Sequence, residues 1–447
     1  LAKDKNIIKE CIAPRYITRF QCRGSSCEDT CCGWWKVSVD EAHYRKLEKL
    51  MDRSEESRHA FSQAFIKQDN GSAGTFGLIR MGDDGYCRYL SEGHLCMIHK
   101  DYGPEFLPDI CAIFPRMISL VGKRLELTGQ LSCPQTARLC LLADDALDLV
   151  DFDPAGLFRP KFLQRQQSTS DDPYAWYFDD IRSTLLRLLS FVEFPLSSRF
   201  YFILYLAEQI SPFFTRGTKT VDEEKLVIEI NGILHPEVLN ELHTQFISLK
   251  KTPDPIVMEA VQRVLLSRLQ HDNCRPGYTR LVTDTFVGYE YEYFGKTFEP
   301  GQSNISLTLS PAKVLQSYKN RRAFWEENHN RSIERYFNNY SMNYILNTWY
   351  TGWPDLNAYV RSLLIRVAAI KFLMFSHPRI FAGMNQHAAR TGEVNNLRAE
   401  LDSVAVDACY NFTRNIGHSP ELNNQIENIL DRLGMNTFES RVQLVDF

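Results

Sequence analysis

Four cysteines fall within eleven positions of the stretch CRGSSCEDTCCGWW, Cys22 to Trp35, and two tryptophans close it. Four more follow in short phrases: Cys87 in CRYL, Cys96 in CMIH, Cys111 in CAIFPR and Cys133 in SCPQ. Thiols crowded in this way serve disulfide bridging, metal binding or catalysis by a thiolate. Their distribution helps to choose. Ten of the twelve cysteines lie at or before Cys140, and only Cys274 and Cys409 follow. A secreted disulfide protein tends to spread its bridges along the chain, so one special segment in a reducing-compartment protein points to a metal. A metal would also offset the poor core of a loop-rich segment.

Spacing narrows the metal. Zinc takes four ligands, commonly at paired C-x2-C or C-x4-C intervals, whereas this run reads C-x4-C-x3-C-C and the chain offers eight thiols. An iron–sulfur cluster is larger, needs four thiolates and tolerates irregular spacing. The residues favour iron–sulfur over zinc, and zinc over disulfides or plain core cysteines; all three stay open. Adjacent Cys31 and Cys32 cannot easily face one ion together, which gives at least one of them another part. His94 and His99 flank Cys96, but a solvated or core role is the ordinary reading for each. Trp34 and Trp35 read as shields against water, and shielding helps to set a cluster's potential. Arg116, in IFPRM, suits a sulfur or an anion as well as it suits a surface turn.

The elements that must hold these groups divide in two. Length alone, 447 residues, suggests about two or three domains. The fold class expected is mainly α: an irregular cysteine-rich metal-binding module with a small β-hairpin over 1–143, then an all-helical body over 144–447 with room for two subdomains about a linker near 166–173. In the module, VDEAHYRKLEKLM predicts a helix capped by Asp40 with Tyr44, Leu47 and Met51 on one face. TFGLIRM predicts a strand, and MISLVGKRLELTG a hairpin turning at Gly122-Lys123. The polar stretch RSEESRHAFSQAFIKQDNGSAG reads as a helix end and a mobile loop. From Pro134 onward, apolar residues recur at three- and four-residue steps, as in LSSRFYFILYLAEQI and DLNAYVRSLLIRVAAIKFLMF.

Composition excludes little else. Hydrophobic residues make up 44%, charged residues 24%, and the formal net charge is -4, so charge gives nucleic-acid binding no support. No stretch reaches the ~18 apolar residues of a membrane span, because Arg366 and Lys371 interrupt the richest run. The amino terminus, LAKDKNIIKECIAPRY, lacks the apolar core of a signal peptide, and a cytoplasmic location is expected.

The run PRYITRFQCRGSSCEDTCCGWWKVSVDEAHYRKL, followed by CRYL, CMIH, CAIFPR and LSCPQTARL, resembles the flagellin lysine-N-methylase family, FliB. More distantly it is similar to cysteine-rich domains described as zinc- or iron-chelating. The likeness spans about Pro14 to Leu142. It implies methylation of flagellin lysines with S-adenosylmethionine as donor, a 4Fe-4S cluster, and a cytosolic protein that associates peripherally with the membrane. Carried over by position, the cluster motif falls on Cys22, Cys27, Cys31, Cys32, Cys87, Cys96, Cys111 and Cys133. Cys11, Cys140, Cys274 and Cys409 lie outside it, so iron should be lost from Cys27→Ala and Cys111→Ala and kept by Cys274→Ala.

Methyl transfer to lysine needs a neutral amine, a bound sulfonium and an in-line approach. The chain contains no Gly-x-Gly, which argues against a dinucleotide-type donor fold. A radical enzyme's C-x3-C-x2-C would put its third thiol at Trp34, so that arrangement is absent as well. In YFNNYSMNYILNTWY, Tyr336, Tyr340 and Tyr344 form one i,i+4 stripe, with Asn339, Asn343 and Asn347 beside it. Tyr336, Tyr340 and Asn343 are the candidate donor-binding residues, aromatic faces for the sulfonium and an amide for orientation. The plainer reading is an amphipathic helix with packed tyrosines. Two rival functions remain: an iron–sulfur electron-transfer or sensor protein, and a zinc-stabilised binding module for a flagellar or envelope partner.

Overall fold

The computed structural model describes residues 9–72, 74–157, 159, 163–167, 172–214, 221–249, 255–271, 274–294, 310–389, 394–417 and 420–447. Residues 168–171 of the expected linker near 166–173 lie outside the described residues. The chain packs as two compact units. The first comprises Leu1–Leu139, Asp148–Gln167 and Asp272–Arg275; the second comprises Cys140–Leu147, Ser168–His271 and Pro276–Phe447.

In the first unit the strands are β1 Glu10–Pro14, β2 Val37–Val39, β3 Phe65–Lys67, β4 Gly77–Ile79, β5 Arg116–Val121, β6 Arg124–Gly129, β7 Leu149–Asp151 and β8 Arg165–Gln166. They form a five-stranded sheet of order β7-β1-β6-β5-β8 and a three-stranded sheet of order β2-β4-β3. The predicted hairpin is β5–β6. It is antiparallel with Val121 opposite Arg124, and Gly122 takes the left-handed backbone, φ 56°, that its turn requires. The hairpin is widened by β1 and β8, which pair parallel to β6 and β5.

The helices of this unit begin with α1 Arg15–Thr18, α2 Glu41–Met51, α3 Glu55–Ala64, α4 Met97–Tyr102, α5 Asp109–Ile113 and α6 Pro134–Leu142, whose last residues belong to the second unit. In α2 the Asp40 carboxylate accepts the His43 backbone N–H at 3.0 Å, and Tyr44, Leu47 and Met51 are buried, as the periodicity predicts. The polar stretch read as a helix end and loop instead forms α3. Ser54 and Ser57 cap it reciprocally, and it buries Phe61 and Ala64. Two buried apolar positions in ten residues make too weak a pattern to announce a helix, yet the cap suffices once the core receives them. That core gathers Val37, Val39, Tyr44, Leu47, Phe61, Phe65, Ile79 and Ile98, with Cys87, Cys96 and Cys111 packed against it.

The second unit is helical: α7 Pro173–Trp176, α8 Phe178–Ser190, α9 Leu196–Ile210, α10 Glu223–Gly232, α11 Pro236–Ser248, α12 Pro255–Leu269, α13 Pro276–Phe294, α14 Pro311–Asn347, α15 Leu356–Phe375, α16 Pro378–Ala389, α17 Val394–Ile416, α18 Pro420–Arg432 and α19 Phe438–Val445. Its axis is α15, which is buried at nearly every position because α9, α12, α14, α17 and α19 surround it. The charges that break its apolar run are buried too. Arg366 donates to the Ser362 hydroxyl at 3.3 Å, and the Lys371 ammonium, 5.6 Å from the Phe337 ring centre, is pulled down to about 7 by burial. Among the described residues no helix is long and apolar enough to cross a membrane.

Candidate metal centre

The first cysteine loop and the segment after β4 lock onto each other through the backbone. Trp34 N–H donates to the Gly85 carbonyl at 2.7 Å, and Cys87 N–H donates to the Cys32 carbonyl at 2.9 Å. Two glycines permit this approach. A Cβ on Gly33 would lie 2.6 Å from the Tyr86 ring, and one on Gly85, whose φ is 80°, would lie 2.5 Å from the Trp34 indole. Trp35 turns back to donate its indole N–H to the Cys31 carbonyl at 2.8 Å. The two tryptophans therefore fasten the loop as well as covering it.

Five thiols converge on this junction. Cys32 hydrogen-bonds to Cys31 and to Cys96, contacts that hold its proton and raise it far above the ordinary thiol range. Cys96, receiving that bond, is held below the range; burial opposes this, and the N–H groups of His99 and Ile98 at the start of α4 assist it. Burial pushes Cys87 up to about 11, against the Tyr89 N–H that reaches its sulfur at 3.4 Å. Burial raises Cys111 further, and the neighbouring Cys31, Cys96 and Cys87 add to the effect. Cys96 is thus favoured as a thiolate, while Cys32, Cys87 and Cys111 hold their protons until an electrophilic metal would displace them.

The other three predicted ligands sit differently. Cys22 is exposed; its sulfur accepts the Gly24 N–H at 3.5 Å, and the Arg116 guanidinium lies over the Phe20 ring at 5.0 Å. The Cys27 thiol donates to the Asp29 carbonyl at 3.2 Å. Cys133 is buried where α6 begins, and its carbonyl accepts the Ala137 N–H at 2.9 Å. His94 and His99 are exposed. Cys31 and Cys32, expected to diverge, present their sulfurs side by side.

Two arginines absent from the sequence reading fix this geometry. Arg275, 7% exposed, donates to the Thr30 carbonyl at 3.3 Å and to the Gly33 carbonyl, and lies 3.7 Å from the Asp29 carboxylate. It thereby clamps the backbone on both sides of Cys31-Cys32. Arg159 donates to Asp109 at 2.8 Å, to the Leu107 carbonyl at 3.0 Å and to His43 Nε2 at 3.1 Å, while His43 Nδ1 donates to Asp40 at 2.7 Å. This network ties α5, which carries Cys111, to the cap of α2. Neither arginine has a local sequence signal, because both are reached by long returns of the chain.

The donor set can be tested for size. With Zn–S bonds near 2.3 Å, a tetrahedral zinc site needs sulfurs about 3.8 Å apart. Among the described residues no three thiols have their sulfurs all within 4.8 Å of one another; the one group that meets that limit is Asp40, His43 and Asp109. Arg159 is already paired with Asp109 and donates to His43 within that group. Cys32 lies within hydrogen-bond reach of both Cys31 and Cys96, and the five thiols at this junction suffice in number for a four-thiolate centre, whether a zinc ion or a 4Fe-4S cluster.

The candidate donor-binding residues lie in the helical unit and are buried. The Tyr336 hydroxyl donates to Asp402, Tyr340 stacks on Tyr344 at 6.5 Å, and the Asn343 side-chain carbonyl accepts from Asn347 at 3.0 Å. Asn339 donates to the carbonyls of Cys140 at 2.9 Å and Ala143 at 3.1 Å. Both stripes are thus engaged in helix packing.

Comparison with known proteins adds the lineage. The chain is 29% identical over 161 residues to the flagellar biosynthetic protein FliU of Salmonella muenchen, covering 35% of this chain and 93% of that protein. It is 30% identical over 137 residues to a lysine-N-methylase of Salmonella typhimurium and 29% identical over the same length to one of Salmonella choleraesuis. These matches cover 30% of this chain and 33% of each methylase, so the alignment spans a third of their length. No solved structure matches. The family model of the FliB lysine N-methylase C-terminal domain matches residues 182–444. With more than half of its length under that model, the chain belongs to the FliB lysine N-methylase family.

Proposed function

We propose that this chain is a lysine N-methylase acting on flagellin, with S-adenosylmethionine as donor and a 4Fe-4S cluster in its cysteine unit. Family membership and the relatives' names support lysine methylation, and the flagellar name of one relative supports the substrate. The single observation that supports the cluster is the convergence of Cys31, Cys32, Cys87, Cys96 and Cys111, five thiols from three stretches of chain, on one junction. Cys87, Cys96 and Cys111 would hold it, with Cys31 or Cys32 as fourth ligand. When bound, the cluster would join three distant stretches of chain and supply iron for Lewis-acid or one-electron chemistry.

The protein's own groups act around that centre. Cys96, the thiol held below the ordinary range, would be the first to ligate, and Cys32 would have to lose its proton to join it. Trp34 and Trp35 limit water, and Arg275 holds the loop that carries Cys31 and Cys32. Anaerobic purification with iron and acid-labile sulfide analysis tests the cluster: about four of each per chain is expected, and stoichiometric zinc without iron overturns it. Incubation with methyl-labelled S-adenosylmethionine and flagellin tests the activity. Label on lysine is the expected outcome, and an intact cluster with no label refutes the methylase.

A further inference from the structure

We propose that the helical unit binds the amino-acid end of the methyl donor in a polar cavity of about 250 Å³ at the start of α15, an inference that rests on S-adenosylmethionine being the donor. Asp355, Asn357, Arg361, Asp431, Asn436 and Arg441 line it. Two of them are arginines held almost wholly out of water, Arg361 at 7% and Arg441 at 4% exposure. Arg361 donates to Asp431 at 2.9 Å, to Asn436 and to Glu427, which engages it with acceptors of the wall itself. Arg441 donates through Nη2 to Glu208 at 2.6 Å and through Nε to the Thr437 carbonyl at 3.2 Å, and among the described residues its Nη1 makes no hydrogen bond.

One acceptor is spare as well. Asp355 caps α15 by accepting the Ala358 N–H on Oδ1 at 2.8 Å, and its Oδ2 makes no hydrogen bond among the described residues. A spare donor on Arg441 and a spare acceptor on Asp355 at one cavity suit a ligand that brings both an anionic and a cationic group. An α-carboxylate matches the Arg441 N–H, and an α-ammonium matches Asp355.

Charge selects further. Asp355, Asp431, Glu427 and Glu208 stand against Arg361 and Arg441, a surplus of carboxylates that disfavours a simple anion. A lone alkylammonium would leave the spare Arg441 N–H unanswered. A zwitterion bearing an additional sulfonium satisfies both requirements. The volume lies below the roughly 300–1,000 Å³ of whole-ligand pockets, room for the amino-acid end with the nucleoside extending outward.

Calorimetric titration of the full chain, purified anaerobically, tests this with S-adenosylmethionine and with 5′-methylthioadenosine, which lacks the amino-acid end. Arg441→Gln removes the unspent donor; Asp355→Asn removes a charge while retaining a side chain that caps α15. Each variant should weaken S-adenosylmethionine about tenfold or more, the effect of losing one charge-assisted bond, and leave 5′-methylthioadenosine unchanged. If both variants bind S-adenosylmethionine as the parent does, or lose both ligands alike, the cavity is not the amino-acid subsite and the donor assignment stands. If the parent chain binds neither ligand, the donor assignment itself fails and takes this proposal with it. Should Arg441→Gln not fold, Asp355→Asn decides.

Discussion

Arg275→Gln should release the Cys31-Cys32 loop, and the size of the effect follows from what the guanidinium touches. It donates to the Thr30 carbonyl at 3.3 Å and to the Gly33 carbonyl, and its side chain is 8% exposed, so solvent screens these bonds little. A hydrogen bond from a charged donor contributes about 1.5–3 kcal/mol. The Thr30 bond is long and the two share one group, so their joint loss is about 3 kcal/mol rather than twice the upper value. At 1.4 kcal/mol per tenfold, loop opening becomes about a hundredfold more populated. Thiol alkylation of metal-free protein under native conditions, read by mass spectrometry at the Cys32 peptide, measures this without depending on any metal. Cys32 labelling should accelerate about a hundredfold, Cys140 in the other unit should not change, and Arg275→Lys should fall between the two. An unchanged Cys32 rate in Arg275→Gln would refute the clamp.

Cys87→Ser, Cys96→Ser and Cys111→Ser should each lose iron on anaerobic metal analysis, whereas Cys133→Ser keeps it because that thiol is packed at the start of α6. Gly85→Ala combines a left-handed backbone with a Cβ 2.5 Å from Trp34, and a denaturant melt should report a loss of about 2–4 kcal/mol; Gly156→Ala, in open space, should change little. Asp40→Ala should cost about 1–2 kcal/mol through the α2 cap, and Asp40→Asn less. Burial pushes the Asp40 carboxyl up, but the bonds and charge of His43 outweigh it and hold the group below its usual value. A depressed carboxyl contributes stability above its unfolded pKa of about 3.9 and loses it as pH falls through the folded value. The stability gap between parent and Asp40→Asn should therefore shrink in acid unfolding curves below about pH 4.

Much of the framework was legible without coordinates, because it is decided over a few residues. Asp40 before an apolar i,i+3 pattern yields α2, the residues LSSRFYFILYLAEQI are α9, and Gly122 marks the β5–β6 turn. Capping, turn chemistry and one-sided burial act at short range, so the local sequence determines them. The type and crowding of the cysteines raised the expectation of a metal, though not which five thiols would meet. α3 stayed hidden because its apolar face is only Phe61 and Ala64.

Tertiary structure decided what depends on distant returns of the chain. It gathered Cys31, Cys32, Cys87, Cys96 and Cys111, kept Cys22, Cys27 and Cys133 in other surroundings, and brought Arg159 and Arg275 to fix the arrangement. It also turned the Tyr336 and Asn339 stripes into helix packing and assembled the Arg361–Arg441 cavity from opposite ends of a helical segment. A side chain's type limits the chemistry it can do, but its partner is chosen by which surfaces the burial of apolar residues forces together. That choice is made over hundreds of residues, where no periodicity carries the information.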